Sequence, residues 1–497
     1  MANLTKEDIR IVLNTIQEVY LADRIPWICG YSGGKDSTAV VQLVWTALSQ
    51  LPKDKLYKPV HVISTDTLVE SPVVALWATQ SIARMKEAAN NPEHKLPIIP
   101  HRLVPEVTNT FWVNLIGRGY PYPRRDFRWC TDRMKIDPSN RFVKKILDAE
   151  SEAILVLGTR KAESATRKAV MEGYEKKRYR DHLSPNGSFP NSYVFTPIEN
   201  WSNDNVWQYL LQYPNPWGHS NKDLLAMYSG ASADGECPLV LDTSTPSCGN
   251  SRFGCWVCTM VSEDKSMAAM IQNDEEKAWM LPMLEFRNEI AGNCDVDRTP
   301  WEVDRSRRDF RRMDGHLTWH NERLVHGPYT QETRKYFLTR LLEVEKLVHE
   351  IGPEEIKNVP LITMDELRFI RQIWLDEKHE FEDLLPEIYE SVTGKRYEDG
   401  TISKNKYFGP AEASILREAC QSVCPDETLM YEMQRSLLDI EAKAAAISNK
   451  RNVIQNFEQE IKKAFYRDED DAFHVAEERA KKITGMQESF DDGNWTE

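Results

Sequence analysis

Trp27-Ile28-Cys29-Gly30-Tyr31-Ser32-Gly33-Gly34-Lys35-Asp36-Ser37-Thr38 reads as a strand, a glycine turn and the start of a helix, and the turn is built to hold phosphate. Gly33 and Gly34 reach backbone angles closed to other residues and leave the chain bare, so successive N–H groups can approach an anion closely. Lys35 adds a point charge, and Ser37 or Thr38 opens a helix whose positive end faces the same spot. The Walker pattern is excluded: it needs four residues between its first glycine and Gly-Lys-Ser/Thr, and Asp36 interrupts that order.

Outward from this loop, the first 200 residues alternate short apolar runs with amphipathic stretches. Residues 59–64, 97–104, 153–158 and 193–198 read as buried strands, with helical patterns at 37–48, 73–89 and 140–149 between them. That order predicts an α/β fold, a doubly wound and mostly parallel sheet. In such sheets ligands sit beyond the carboxyl ends of the strands, where the loop lies and where Thr65-Asp66-Thr67 follows the second strand. Asp66 is a candidate contact to adenosine or Mg²⁺, or alternatively a helix cap.

A length of 497 residues and 41% hydrophobic content suit roughly three domains with real cores. We divide the chain into residues 1–215, carrying the loop; 216–330, a cysteine-bearing and basic segment completing the site; and 331–497, a helical region. Residues 218–258 are rich in Gly, Ser, Pro and Cys with little periodicity, and need something other than a core to hold them. Helical patterns follow at 332–350, 364–374 and 411–420, then one long pattern from 428 to about 465 without a strict heptad. The acidic end, 467–497, is expected to fray.

The sequence as given opens without an apolar leader and no run approaches the roughly 18 residues of a membrane span, so the expectation is a cytoplasmic protein with no membrane. Nine cysteines, an odd number thinly spread, point to thiols or metal ligands over a disulfide framework. Net charge of −14 argues against a uniformly basic nucleic-acid binder, yet local patches decide affinity for a polyanion. Two basic stretches stand out. One runs from Arg118 to Lys145 and from Arg160 to Arg180, with Tyr174 and Tyr179 interleaved; the other is Arg305, Arg307, Arg308, Arg311 and Arg312.

Ser32-Gly33-Gly34-Lys35-Asp36-Ser37 resembles the PP-loop, Ser-Gly-Gly-x-Asp-Ser, of the ATP pyrophosphatases, which hold the leaving pyrophosphate while the α-phosphate is attacked. Three more stretches resemble the PAPS and APS reductases. Arg128-Trp129-Cys130 through Lys135 is similar to their Arg-Trp-Cys-Cys-x-x-x-Lys, and Gly158-Thr159-Arg160 through Glu163, Ser164 and Arg167 to their Gly-x-Arg-x-x-Glu-Ser-x-x-Arg. Pro197-Ile198, Trp201-Ser202 and Asn205-Val206-Trp207 resemble Pro-Ile-x-x-Trp-Ser/Thr-x-x-Asp-Val-Trp, with Asn205 in place of the family Asp. Arg160 and Arg167 follow a strand end, where guanidinium forks would complete a positive rim for phosphates.

Cys248, Cys255 and Cys258 lie in a Cys-x6-Cys-x2-Cys run whose turn residues leave three thiolates free to converge on one centre. The family motif makes Cys130 the best fourth ligand. Four thiolates accommodate Zn²⁺ or a [4Fe-4S] cluster by spacing alone, and the resemblance to APS reductases favours iron-sulfur. Cys29 reads as core, Cys237 as a second-choice ligand, and Cys420 and Cys424 as structural.

Together these stretches resemble the DndC family, the PAPS reductase-like sulfurtransferases of DNA phosphorothioation, over roughly residues 10–330. The resemblance implies ATP with Mg²⁺ held by Ser32, Gly33, Gly34, Lys35, Asp36, Ser37 and Thr38, with Asp66, Gly158, Arg160 and Arg167. It implies catalytic roles for Lys35, Asp36, Arg160 and Glu163, a cluster on Cys130, Cys248, Cys255 and Cys258, and DNA, a cysteine desulfurase and companion Dnd-type proteins as partners. Two alternatives stay open. One is an APS or PAPS reductase making sulfite, although the Glu-Cys-Gly-Leu-His motif of those enzymes is absent from this sequence; the other is an ATP-binding subunit of a DNA complex without transferase activity.

Overall fold

A computed structural model of the chain describes residues 4–92, 95–231, 253–398, 408–423, 427–446 and 452–491. It divides into two compact units, one of Met1–Glu106 with Arg125–Leu284 and one of Val107–Arg124 with Glu285–Glu497. This partition differs from the three consecutive segments read from the sequence. Phe111, Trp112, Val113, Leu115 and Ile116 are all buried, and an apolar run of that density belongs with the helices it packs on rather than with its chain neighbours. Trp112 donates its Nε1–H to the Leu361 carbonyl at 2.7 Å, and Trp374 donates to the Ile116 carbonyl at 3.1 Å.

The first unit is the expected α/β sheet. Strands β1 (Trp27–Gly30), β2 (Val60–Thr65), β3 (Ile98–Leu103), β4 (Ala153–Val156), β5 (Ser184–Pro185) and β6 (Ser192–Phe195) lie in the order β3-β2-β1-β4-β6-β5. Every neighbouring pair is parallel except β5 with β6. β1 is central, with Trp27 opposite Val60 on one side and Ile154 on the other. A strand covered on both faces reads as an unbroken apolar run, which is why Trp27-Ile28-Cys29 marks it so clearly. Cys29 is core as expected, and burial pushes its thiol up to about 12.

Helix α1 (Lys6–Leu21) starts in a capping box between Thr5 and Asp8, and helix α2 (Lys35–Ser49) is buried almost all round. Helix α3 (Pro72–Ala89) follows β2. Because the chain winds outward to β2 and β3 and then returns to the other side of β1, the order reverses between β1 and β4. A crevice therefore opens at their carboxyl ends, beside the glycine loop.

Part of the irregular stretch is in fact helical: Asn221–Gly230 forms a helix with Leu224 in the core. Residues 253–258 are held by Trp256, which is fully buried, and by two bonds to the loop after β2: Trp256 N–H to Val69 O at 2.9 Å and Ser71 N–H to Gly254 O at 3.3 Å. Cys237 and Cys248 lie outside the described residues.

The second unit is helical, with helices at Gln331–Ile351, Met364–Asp376, Leu384–Thr393 and Pro410–Val423. The single long helix expected over 428–465 is instead two, Glu427–Ala446 and Val453–Lys463, the second entered through Asn452 in the left-handed conformation at φ 72°. The acidic end does not fray throughout. Glu469–Asp491 is helical, and its Ala472 and Ala476 are buried against Leu324 and Tyr466, with Trp319 and Phe473 beside them. Small residues on one stripe let that helix approach closely, a signal the acidic composition hides. Among the described residues no helix is long and apolar enough to cross a membrane.

Candidate active site

The glycine loop is shaped by its own hydrogen bonds. Ser37 donates its hydroxyl to the Gly34 carbonyl at 3.0 Å and accepts from the Ser32 N–H at 3.2 Å, closing the turn. Gly33 sits at φ +74°, a conformation L side chains rarely adopt, and its carbonyl accepts from Trp77 Nε1 at 3.1 Å. α2 begins with Gly34 as its N-cap and no side-chain cap. The Gly34 N–H reaches Ser32 Oγ and the Lys35 N–H reaches Tyr228 Oη only at 3.4 Å, the long limit of a hydrogen bond. Uncapped donors at a helix start are the groups from which a phosphate oxygen accepts most readily.

Around the loop lies a cleft of about 920 Å³, within the size range of small-molecule sites. Its walls come from the ends of β2 and β4, from α3, from Asn186, Ser188 and Phe189 of the β5–β6 connection, and from Tyr228 and Phe253. Gly158 is the tightest point. A Cβ there would lie 2.9 Å from the Asp36 carbonyl oxygen, so the strand end can pass beside the loop only as glycine.

Five of the charged candidates form one chain of contacts. Lys35 Nζ lies 3.2 Å from Asp36 Oδ2, and Arg160 donates Nε–H to Asp36 Oδ1 at 2.7 Å. The Arg160 backbone N–H is accepted by Glu163 Oε1 at 2.9 Å, and the other Glu163 oxygen pairs with Arg167. Arg160 is only 3% exposed and also donates to the Trp201 carbonyl at 3.3 Å. It therefore belongs to the wall as an anchor for Asp36 and is not the exposed rim the sequence suggested; Arg167, exposed, is.

Two further expectations change. Thr38 is fully buried in α2 and is not part of the cleft lining, because the helix turns that position into the core. Asp66 lines the cleft, but its carboxylate is engaged by the Leu68 N–H at 2.7 Å and by Arg102. It makes the Asx turn that carries Leu68 at φ 65°, and it is not a helix cap, since Ser71 holds that position for α3. Trp201, Val206 and Trp207 are core, and Ser202 caps the helix Asn203–Gln212 by accepting from the Asn205 N–H at 3.1 Å. Asn205 thus sits at a cap, where the exchange of Asp for Asn is mild.

The cysteines meet at the mouth of this cleft. Glu70, in the lining, pairs with Cys255 in an isolated antiparallel bridge, and Thr67 Oγ1 is 3.3 Å from Cys255 Sγ. Cys130 sits on the short helix Trp129–Thr131, anchored by buried Trp129 and followed by a π-helical turn, Asp132–Ile136. That wide turn places Lys135 with its Nζ 3.2 Å from Glu70 Oε1. Burial opposes the Lys135 charge, but Cys255, Glu70 and Cys258 outweigh it and raise its pKa. Burial raises the Cys130 thiol, with Cys258 adding to the effect, and burial with Glu70 drives the Cys255 thiol far up.

Of the four cysteines expected to hold a cluster, Cys130 and Cys255 each lie near Cys258. Cys248 lies outside the described residues, and among those described no three His, Cys, Asp or Glu side chains are placed to hold a metal ion.

Several site residues escaped the sequence reading. Glu70 and Arg102 carry no local signal. Lys135 stood inside a recognised motif without a role of its own. Tyr228 contacts the loop twice, through the Lys35 N–H and with its ring 5.5 Å from Lys35 Nζ, and is itself flanked edge-on by Phe253 at 4.7 Å. Burial pushes the Tyr228 hydroxyl up to about 12, so it stays protonated.

Residues 26–217 match the family model described as the phosphoadenosine phosphosulfate reductase domain. Two uncharacterized proteins of Methanocaldococcus jannaschii are each 26% identical, one over 218 residues and 43% of this chain, the other over 180 residues and 36%. The chain spans about a third of the length of these curated relatives, 36% and 34%. Among solved structures, the phosphoadenylyl-sulfate reductase of Candida auris in a phosphate complex is similar at 15% identity and TM-score 0.26, covering 45% of this chain and 92% of that one. The U34-tRNA thiolase NcsA of Methanococcus maripaludis, with its [4Fe-4S] cluster, is similar at 14% identity and TM-score 0.25, covering 59% and 84%. The family match falls on the strands, the phosphate loop and the Arg160 motif described above, so residues 26–217 are a phosphoadenosine phosphosulfate reductase-like domain built around a PP-loop.

Proposed function

We propose that this chain is an ATP-dependent sulfurtransferase of DNA phosphorothioate modification, of the DndC kind. The single observation behind the reading is the seating of the cysteine segment at the mouth of the loop's cleft, where Phe253 lines the cavity and Cys255 pairs with Glu70. A cysteine sulfur and the phosphate loop thus border one cleft.

In this reading the loop N–H groups, Lys35 and the start of α2 hold the β- and γ-phosphates of ATP, and Asp36, fixed by Arg160, faces the Mg²⁺ that accompanies them. A non-bridging oxygen of the DNA backbone attacks the α-phosphorus, and the bond to pyrophosphate breaks. Sulfide, released from the persulfide of a cysteine desulfurase by a thiol such as excess cysteine, which is oxidised to its disulfide, then attacks the activated backbone phosphorus, and AMP leaves with the displaced oxygen. The acceptor is favoured by the helix Ala165–Glu175, which buries none of its residues and presents Arg167 to the cleft and Lys168 to solvent, with Lys176 and Lys177 exposed just beyond it.

A reductase producing sulfite is the second reading, favoured by the match of residues 26–217. One experiment separates the two. The protein is incubated with ATP, DNA, a cysteine desulfurase and cysteine, and in parallel with PAPS and a dithiol reductant. Pyrophosphate together with nuclease-resistant, sulfur-containing dinucleotides is the expected outcome; sulfite from PAPS, with no sulfur in DNA, overturns the proposal.

A further inference from the structure

We infer that the helical unit carries a second anion site, separate from the PP-loop, which takes a tetrahedral oxyanion of the phosphate or sulfate class in a cavity of about 130 Å³ with Lys378 as its principal ligand. The cavity is walled by cations together with the carboxylates of Asp309, Glu377, Glu380, Glu432 and Glu460, and most of the cations are already matched. Arg311 donates to Asp309 at 2.6 Å and to Glu432 at 2.7 Å, Arg334 pairs with Glu380, and Lys463 Nζ lies 2.5 Å from Glu460 Oε1. His379 is bonded to Asp439 at 2.7 Å.

Lys378 is different. Among the described residues its ammonium has no carboxylate within salt-bridge distance and no hydrogen-bond acceptor, although Glu377 and Glu380 lie near enough to act at longer range. Arg334 and Lys463 face it as like charges, and with burial as the larger cause they bring its pKa down to about 8. A second unmet donor lies on the same wall. Arg435, 4% exposed, donates Nη1–H to Glu382 at 2.8 Å and to Gln331 at 3.0 Å, but its buried Nε–H has no acceptor. A buried donor without an acceptor, as Arg435 Nε is, is uncommon in folded proteins and marks the place of an absent partner, and half-buried Lys378 lines the same cavity. A compact oxyanion supplies both missing acceptors and relieves the repulsion among Lys378, Arg334 and Lys463. The cavity volume suits one such group and excludes a nucleoside.

The shared chemistry has two sources, a free ion or a phosphate of a DNA backbone. The test uses the full chain carrying Lys35→Ala, which weakens the PP-loop as an anion site, and titrates it with inorganic sulfate and then phosphate by calorimetry. One saturable event is expected, weakened at least tenfold by adding Lys378→Gln. Competition by a short duplex assigns the site to backbone phosphate, and competition by inorganic phosphate alone assigns it to the free ion; either outcome upholds an anion site. Sulfate does not titrate near pH 8, so its binding should take up protons there, read by repeating the titration in buffers of different ionisation enthalpy. This second readout needs no change at Lys378 and decides the matter if that variant does not fold. Equal sulfate affinity with and without Lys378→Gln, or binding at pH 8 without proton uptake, overturns the inference.

Discussion

At the scale of single residues, the site depends on close approach and on the charge of Lys35 in the loop. Lys35→Ala is expected to slow pyrophosphate release by about 10²–10³-fold with the fold intact, since it removes a charge aimed at the leaving group; unchanged release would remove the loop from the mechanism. Gly158→Ala places a methyl 2.9 Å from the Asp36 carbonyl and should cost about 1–3 kcal/mol of stability along with nucleotide binding, read by urea unfolding and ATP titration. His219 provides a pH handle. It stacks on Trp77 at 3.6 Å between ring centroids and hydrogen-bonds Ser81 at 2.6 Å; burial first, and then Arg84, bring its pKa from 6.5 down to about 4. A folded pKa below the unfolded one means that stability is fully present above pH 6.5 and is lost as pH falls from there towards 4. His219→Gln should therefore show a smaller drop in thermal midpoint between pH 7 and pH 5 than the parent chain.

At the scale of elements, the cysteine segment is held by one side chain more than by secondary structure. Trp256 is fully buried while the thiols beside it are partly exposed, so Trp256→Ala should free the segment from the loop after β2 and cost about 3–5 kcal/mol. Hydrogen exchange would report this as lost protection of the Trp256 and Ser71 amides, with the sheet amides unchanged. The same scale explains which helices the sequence marked. Gln331–Ile351 and Met364–Asp376 have strong caps and apolar stripes and run within two residues of the expected bounds. The break at Asn452 has no proline or glycine to announce it, since asparagine enters the left-handed region without either.

At the scale of the whole molecule, charge is organised differently from what its sequence clusters suggest. Arg308 and Arg311 are buried, Arg308 paired with Asp304 at 3.1 Å and Arg311 with Asp309 and Glu432, while Arg305 pairs with Glu469. Within the second basic stretch Arg308 and Arg311 are thus internal to the helical unit, while Arg305 and Arg307 are half-buried and Arg312 is exposed. Breaking one such pair, as in Arg308→Ala, should cost about 3–5 kcal/mol by leaving Asp304 buried without its partner. Exposed basic side chains cluster around Ala165–Glu175, where Arg167, Lys168, Lys176, Lys177 and Arg178 are all exposed. Changing Lys176 and Lys177 together to Glu is expected to weaken DNA binding and lower the salt slope by about two; an unchanged slope would count against DNA as the acceptor.

The sequence by itself determined the parallel sheet, the phosphate loop and the Arg160-to-Arg167 motif, because each rests on local periodicity, on glycine geometry or on a short run of residues. Tertiary structure decided which charges face solvent, that Thr38 turns inward, that Arg160 anchors Asp36, and that Tyr228, Glu70 and Lys135 join the cleft. Those outcomes depend on residues up to 193 positions apart, as in the Lys35–Tyr228 bond, and pairing across such distances leaves no trace in the spacing of either partner.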